Sequence, residues 1–100
     1  MTKNKKIKAV SFGEVLWDVF PTHKKIGGAP LNVALRMNSL GAEVTMVSSV
    51  GADEDGKAIV TFAAENGVNT DFIQVSKEYK TGIVQVMINE KGNASYDILY

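Results

Sequence analysis

The stretch Gly27-Gly28-Ala29-Pro30-Leu31-Asn32-Val33-Ala34, followed at a distance by Gly41 and Gly51, carries most of the information about the fold. Two adjacent glycines can take positive φ and let the backbone approach a neighbour closely, and a proline at position 30 suits the first turn of a helix. Apolar residues then recur at helical spacing over 31–40, and Gly41 suits a position just past a helix end. We therefore predict a sharp turn over 27–30 and a largely buried helix over 31–40.

The segments around this turn and helix alternate between strand and helix patterns. Ile7–Gly13 is a mixed apolar run and Glu43–Val50 is rich in β-branched residues, so both are predicted as buried strands. A second helix is predicted to begin at a cap from Asp53 or Asp55 and to stop at Gly67. Alternation of strands and helices predicts an α/β sheet with parallel strands.

Further strands are predicted at both ends of the chain. Glu14–Phe20 continues the first strand in an extended conformation, and Asp71–Val75 is predicted as a short strand. Thr81–Asn89 and Ala94–Tyr100 are predicted as two strands joined by the turn Glu-Lys-Gly-Asn at 90–93. We expect this hairpin to be an antiparallel appendage to the α/β unit.

Composition excludes several classes of protein. The 100 residues are 45% apolar and 22% charged, which is typical of a soluble globular fold. Lys plus Arg and Asp plus Glu each number 11, so the net charge of zero argues against nucleic-acid and membrane partners. The absence of cysteine excludes disulfides, thiolate zinc sites and thiol nucleophiles, and a single histidine gives no basis for a metal site. The basic N-terminus precedes no signal-type apolar run, so we expect a cytoplasmic protein.

Two polar residues are candidates for ligand binding. Asn32 stands in the first turn of the predicted helix, where free N–H groups and its amide suit a polyhydroxyl ligand or an anion. Asp18 lies just beyond the first strand, where α/β sheets tend to bind ligands, and a carboxylate can accept hydrogen bonds from two vicinal hydroxyls. The alternatives are a solvated asparagine and a surface or turn aspartate, and Glu14 is open to the same two interpretations.

Three linked motifs resemble the N-terminal signature of the PfkB (ribokinase-like) carbohydrate kinases. They are Gly13-Glu14 with Asp18, the Gly27–Ala34 stretch with its following glycines, and Gly51-Ala-Asp-Glu-Asp-Gly56. The resemblance covers Ile7–Tyr100 and is strongest to the bacterial fructokinases. It implies a three-layer α/β/α fold with a small β-sheet lid. Residues 1–100 would form the N-terminal part of a single sugar kinase domain, with lid strands near 14–20 and 81–100.

The resemblance also implies an activity and a set of substrate-binding positions. The activity is ATP-dependent phosphorylation of a sugar hydroxyl, with fructose or a related ketose as the acceptor; ribose and nucleosides are the alternatives within the family. The implied substrate-binding residues are Asp18, Gly27, Gly28, Asn32, Val84 and Val86. The aspartate would bind sugar hydroxyls, the glycines and the asparagine would donate N–H groups, and the valines would close over the sugar from the lid.

The catalytic half of such a kinase is not found in the sequence. The Gly-Ala-Gly-Asp run that supplies the family's catalytic base is absent from residues 1–100. We therefore predict no catalytic residue here, expect ATP and Mg²⁺ to bind mainly outside this chain, and expect the chain alone to be inactive. Since it ends within a predicted strand, we expect it to be part of a longer protein, with a homodimer through the lid as a further implication. The alternative is a non-catalytic sugar-binding or dimerisation module, complete at 100 residues.

Overall fold

The computed structural model describes residues 7–98, which form two helices and seven strands. In chain order the elements are β1 Lys8–Phe12, β2 Leu16–Val19, β3 Lys24–Gly27, α1 Ala29–Ser39, β4 Glu43–Gly51, α2 Glu54–Glu65, β5 Asn69–Ser76, β6 Gly82–Ile88 and β7 Ala94–Ile98. The predicted last strand, 94–100, is confirmed up to Ile98, and its final two positions lie outside the described residues.

Three of the strands form the main sheet, in which all pairings are parallel and the order is β1-β4-β5. The two crossovers that contain α1 and α2 step across the sheet in the same direction, and right-handed crossovers then place both helices on the same face. The core lies between this face and the helices, and it includes Leu31, Ala34, Val44, Met46, Ile59 and Ala63. The predicted parallel α/β sheet is thus confirmed.

The opposite face of the main sheet carries large apolar side chains that nothing within the described residues covers. Val10, Phe12 and Phe72 alternate with core residues along their strands, and 70%, 79% and 59% of their respective surfaces are exposed. The described residues therefore build two layers, one of helices and one of sheet.

Local sequence signals set the ends of both helices. Gly28 is the N-cap of α1 with φ of 104°, a backbone conformation that favours glycine, and Pro30 occupies the first turn. The Asp53 side chain caps α2 by accepting a hydrogen bond from the Gly56 N–H at 2.7 Å. Of the two cap residues predicted for α2, the structure selects Asp53.

The other four strands form the small sheet, which has the order β3-β2-β6-β7. β2 and β6 are parallel neighbours, with Leu16 opposite Gly82, whereas β3 and β7 are antiparallel edge strands. The predicted hairpin of β6 and β7 is confirmed as antiparallel. It is wrong to describe it as an appendage, because β6 pairs with β2, so the hairpin and the β2–β3 pair form one sheet.

One strand of the small sheet is missing from the sequence prediction. Lys24–Gly27 was not expected to be extended, yet it pairs with β2 along its whole length as β3. A tight turn at Pro21-Thr22 connects the two strands, and the Phe20 N–H donates to the His23 carbonyl at 2.7 Å. Gly27 therefore ends a strand, and the change of direction into α1 falls at Gly28.

Neither of the described helices is long and apolar enough to cross a membrane.

Candidate functional site

The register of the small sheet places most of the predicted binding residues on one face. Asp18 lies opposite Lys25 on β3 and opposite Val84 on β6. Residues that are paired across strands, or separated by two along a strand, point to the same side of a sheet. Asp18, Gly27, Val84 and Val86 therefore share a face, as the resemblance implies for a sugar-binding surface.

The closest approach within this group is between Asp18 and Gly27. Gly27 is buried, and a β-carbon built on it would overlap the carboxylate of Asp18. Since any other residue at position 27 would displace the carboxylate, glycine here sets the position of Asp18 against the β3 backbone. Such a contact requires the two strands to pair, so it could not be seen from the spacing of residues in the sequence.

The turn from β3 into α1 brings Gly28 and Asn32 to the same region of the chain. A β-carbon on Gly28 would lie 2.5 Å from the carbonyl oxygen of Glu14, so the turn is packed tightly against the segment after β1. Among the described residues no side chain caps α1. Pro30 has no N–H and Leu31 is fully buried, so of the first helical residues only the exposed Ala29 could offer its backbone N–H to a ligand. The Asn32 side chain is exposed, and its backbone N–H donates to the Gly28 carbonyl. This position is compatible both with a contact to a ligand and with a solvated asparagine.

A cavity of about 560 Å³ lies where the carboxyl ends of the main-sheet strands meet the small sheet. Its walls include Phe12, Gly13, Glu14, Val47, Ser49, Gln74, Tyr79 and Lys80 from the main-sheet side, and Leu16, Val84 and Ile98 from the small sheet. Leu16, Val84 and Ile98 share the face of Asp18, and Ile83, which also lines the cavity, belongs to the other face. Most of the small-sheet side chains in the wall therefore come from the face of Asp18.

The cavity and the predicted residues coincide only in part. Of the predicted substrate-binding residues only Val84 lies in the cavity wall, and Asp18, Gly27, Gly28 and Asn32 lie outside it; the further candidate Glu14 also lies in the wall. Val86 is 3% exposed and likewise outside the wall, so it is placed on the expected face without reaching the cavity. Lys25, opposite Asp18, was missed because the strand that carries it was not predicted.

A hydrogen-bonded network joins the small sheet to the start of α2. The Thr81 hydroxyl donates to Asp53 Oδ1 at 2.6 Å, its backbone N–H donates to Oδ2 at 3.0 Å, and its oxygen accepts from the Gly51 N–H at 2.9 Å. These donors, with the Thr81 side chain contributing most, hold the pKa of Asp53 below its usual range. The sequence predicted Asp53 or Asp55 as the cap of α2. It did not predict the contact with Thr81, because Thr81 lies far from Asp53 along the chain.

A second set of contacts joins β2 and β3 to the same helical turn. The Trp17 indole N–H donates to the Asp55 carbonyl oxygen at 3.0 Å. The Lys24 ammonium forms an ion pair with the Asp55 carboxylate at 2.8 Å and lies 4.4 Å from the centre of a Trp17 ring. The start of α2, with its cap Asp53, therefore contacts two strands of the small sheet, β2 and β3, and the residue that precedes β6.

The described residues do not fit the nucleotide half of a kinase site. Over residues 7–98 no three acidic or histidine side chains come together as a metal site would require, and the sequence has no glycine-rich phosphate loop. We therefore derive no step through Mg²⁺ or ATP from this part of the chain.

The fold is that of the ribokinase-like kinases. Over 96% of this chain it superposes with a TM-score of 0.85 on the ATP-bound fructokinase from Xylella fastidiosa, at 31% sequence identity. A sugar kinase from Pyrococcus horikoshii matches over 92% of the chain, with the same TM-score and 28% identity. Residues 3–98 match the sequence profile of the pfkB family carbohydrate kinases, and the chain belongs to this family.

Among sequence relatives, a fructokinase of Solanum tuberosum is 32% identical over 99 residues, an alignment that covers 87% of this chain. The same alignment covers 31% of the potato protein, and the Xylella structure is covered to 34%. The chain thus spans about a third of the length of the relatives that it matches.

Proposed function

We propose that this chain supplies the sugar-binding side of an ATP-dependent kinase that phosphorylates a hydroxyl of fructose or a related ketose. The observation that carries the proposal is the Asp18 carboxylate, set against Gly27 on the face of the small sheet that borders the cavity. The sugar specificity is supported by the relatives, several of which are fructokinases. The residues that carry out phosphoryl transfer are then expected outside this chain.

The chemistry of this face suits a neutral polyol. A carboxylate accepts hydrogen bonds from two adjacent hydroxyls, which fixes the orientation of the sugar without requiring charge on it. Leu16 and Val84 on the same face offer apolar surface to the ring and exclude water. Exclusion of water around the acceptor hydroxyl favours transfer to the sugar over hydrolysis.

The test compares the 100-residue chain with the full product of its gene in an ADP-release assay against fructose, ribose and a nucleoside. We expect fructose-dependent ADP formation by the full product and none by the chain alone. Turnover by the chain alone would show that the catalytic base is not downstream. A full product that acts only on ribose or the nucleoside would move the substrate to another class, and one that acts on no sugar would contradict the proposal.

Two other predictions belong to the small sheet. A self-sufficient sugar-binding module would show tight binding of sugar by the 100-residue chain in a calorimetric titration, whereas half a kinase site should bind weakly.

A homodimer through the small sheet also stays a prediction. The exposed apolar side chains of Ile88 on β6 and of Tyr96 and Ile98 on the edge strand β7 are consistent with a partner there.

A further inference from the structure

We propose that Trp17, Lys24 and Asp55 form a latch that docks the small sheet on α2 and thereby positions Asp18 for sugar. The inference rests on the proposed function for the role of Asp18 in binding. Asp55 belongs to the Gly51–Gly56 motif, but its contacts with Trp17 and Lys24 are not among the roles that the resemblance implies, and they can be tested without sugar.

The latch joins elements that are far apart in the sequence. Trp17 is on β2 and Lys24 on β3, while both of their partner atoms belong to Asp55 in the first turn of α2. The carbonyl oxygen of Asp55 accepts from the indole, and its carboxylate binds the ammonium. One residue of the helix therefore holds two adjacent strands, and the Lys24 ammonium beside the indole ties these two strands to each other.

Docking of Trp17 fixes Asp18 because the two residues are consecutive on one strand. Successive side chains of a strand point to opposite faces, so anchoring the indole on the helix side presents the carboxylate on the cavity side. The neighbouring strand β6 has an attachment of its own. Thr81, immediately before β6, donates two hydrogen bonds to Asp53, which lies just before the latch residue Asp55 in the chain. β2 and β6 are therefore both attached at the N-terminal end of α2, and Asp18 and Val84 lie opposite each other on the two strands.

The two attachments differ in how easily they can open. Thr81 is 2% exposed, so its bonds to Asp53 are shielded from solvent. The Lys24 and Asp55 side chains are 49% and 32% exposed, and an ion pair in contact with water weakens as salt is added. We therefore expect salt to weaken the ion pair of the latch while β6 stays attached at Thr81.

The single tryptophan makes the latch observable, because all indole fluorescence of the chain comes from Trp17. We compare Asp55→Asn and Lys24→Met with Glu54→Gln, which removes an acid from the same helical turn without touching the latch. Raising NaCl from about 0.05 to about 0.5 M should increase acrylamide quenching of the wild type and of Glu54→Gln. The two latch variants should show high quenching at low salt and little further change. Quenching that is the same in all four proteins at both salt concentrations would overturn the latch.

Amide hydrogen exchange is the second measurement, since it does not depend on how a variant alters indole emission. Faster exchange confined to β2 and β3 in Asp55→Asn supports the latch, while uniform acceleration over the whole chain would mean a general loss of stability and would overturn it. Lys24→Arg keeps the cation, so in contrast to Lys24→Met it should show the amide protection and the acrylamide quenching of the wild type.

The effect of the latch on sugar binding is tested by steady-state kinetics of the full gene product. Asp55→Asn should raise the sugar KM about fivefold and leave kcat and the KM for ATP unchanged, because only the sugar side is displaced. An unchanged sugar KM, in a variant whose β2 exchanges faster, would overturn the positioning role. If no sugar is phosphorylated, the proposed function fails by itself, and the fluorescence and exchange results still decide the latch.

Discussion

At the scale of single residues, Asp18 is the position on which the candidate site depends. Its carboxylate lies against the backbone of Gly27, which has no side chain to occupy that space. The pairing of β2 with β3 creates this arrangement, and Gly27 could not be replaced by a larger residue without moving the Asp18 carboxylate. A short polar side chain is thereby held beside Leu16 and Val84 on the face that borders the cavity.

Replacement of Asp18 by Asn keeps the size of the side chain and removes its charge. We expect the sugar KM to rise about 10- to 150-fold, which corresponds to the loss of roughly 1.5–3 kcal/mol from hydrogen bonds to a charged acceptor. Asp97→Asn is the matched control, because Asp97 is an exposed acid on β7 of the same sheet, opposite Gln85 on the other face. A KM equal in both variants would show that Asp18 faces solvent in the working enzyme.

At the scale of elements, the parts of the chain with local signals were predictable. Pro30 and Gly41 bracket α1, and the aspartate that caps α2 stands three residues before the N–H that it binds. β3 was missed because Lys24 and Lys25 are polar and Gly27-Gly28 also fits a turn. The parallel pairing of β2 with β6 was not predictable, since Leu16 and Gly82 lie far apart in the chain and no local signal links them.

The junction between Thr81 and α2 is the element-scale feature that stability should report. Thr81→Val keeps the shape of the side chain but removes the hydroxyl, which leaves the Gly51 N–H without its acceptor and Asp53 without one donor. We expect a loss of about 1–3 kcal/mol in the free energy of unfolding, measured by urea denaturation at neutral pH. Thr61→Val, at an exposed position of α2, is the control and should change the stability little.

The same junction gives the stability a defined dependence on pH. The pKa of Asp53 is lowered in the folded chain from its ordinary value of 3.8, so on acidification the unfolded state takes up a proton first. The stabilisation is present above the ordinary value and is lost as the pH falls through the lowered one. Urea midpoints from about pH 7 to about pH 3 should therefore converge for wild type and Thr81→Val. A constant gap between the two would contradict the charge-based contribution.

At the scale of the whole molecule, the chain is a thin slab of 58 × 36 × 18 Å. Helices cover one face of the main sheet, and Val10, Phe12 and Phe72 stand exposed on the other. Large apolar side chains exposed in this way are available to bind hydrophobic molecules.

We expect the 100-residue chain to bind a hydrophobic dye such as ANS through this face. Phe12→Thr should lower the dye fluorescence, because threonine suits a strand and removes the largest exposed apolar area. Leu40→Thr, at a similarly exposed residue beyond the end of α1, should not lower it. Equal dye binding by wild type and both variants would indicate that the face is covered in solution.

The pairing of Leu16 with Gly82 also dictates an order of events during synthesis. The hairpin of β2 and β3 leaves the ribosome early, but its parallel neighbour β6 emerges only after β4, α2 and β5. Two strands alone are marginally stable in water, so Asp18 has no fixed surroundings during that interval. Closing so long a loop is entropically costly and slow, which makes the small sheet a late product of folding. The residues that would bind sugar are therefore among the first to be translated and the last to be assembled.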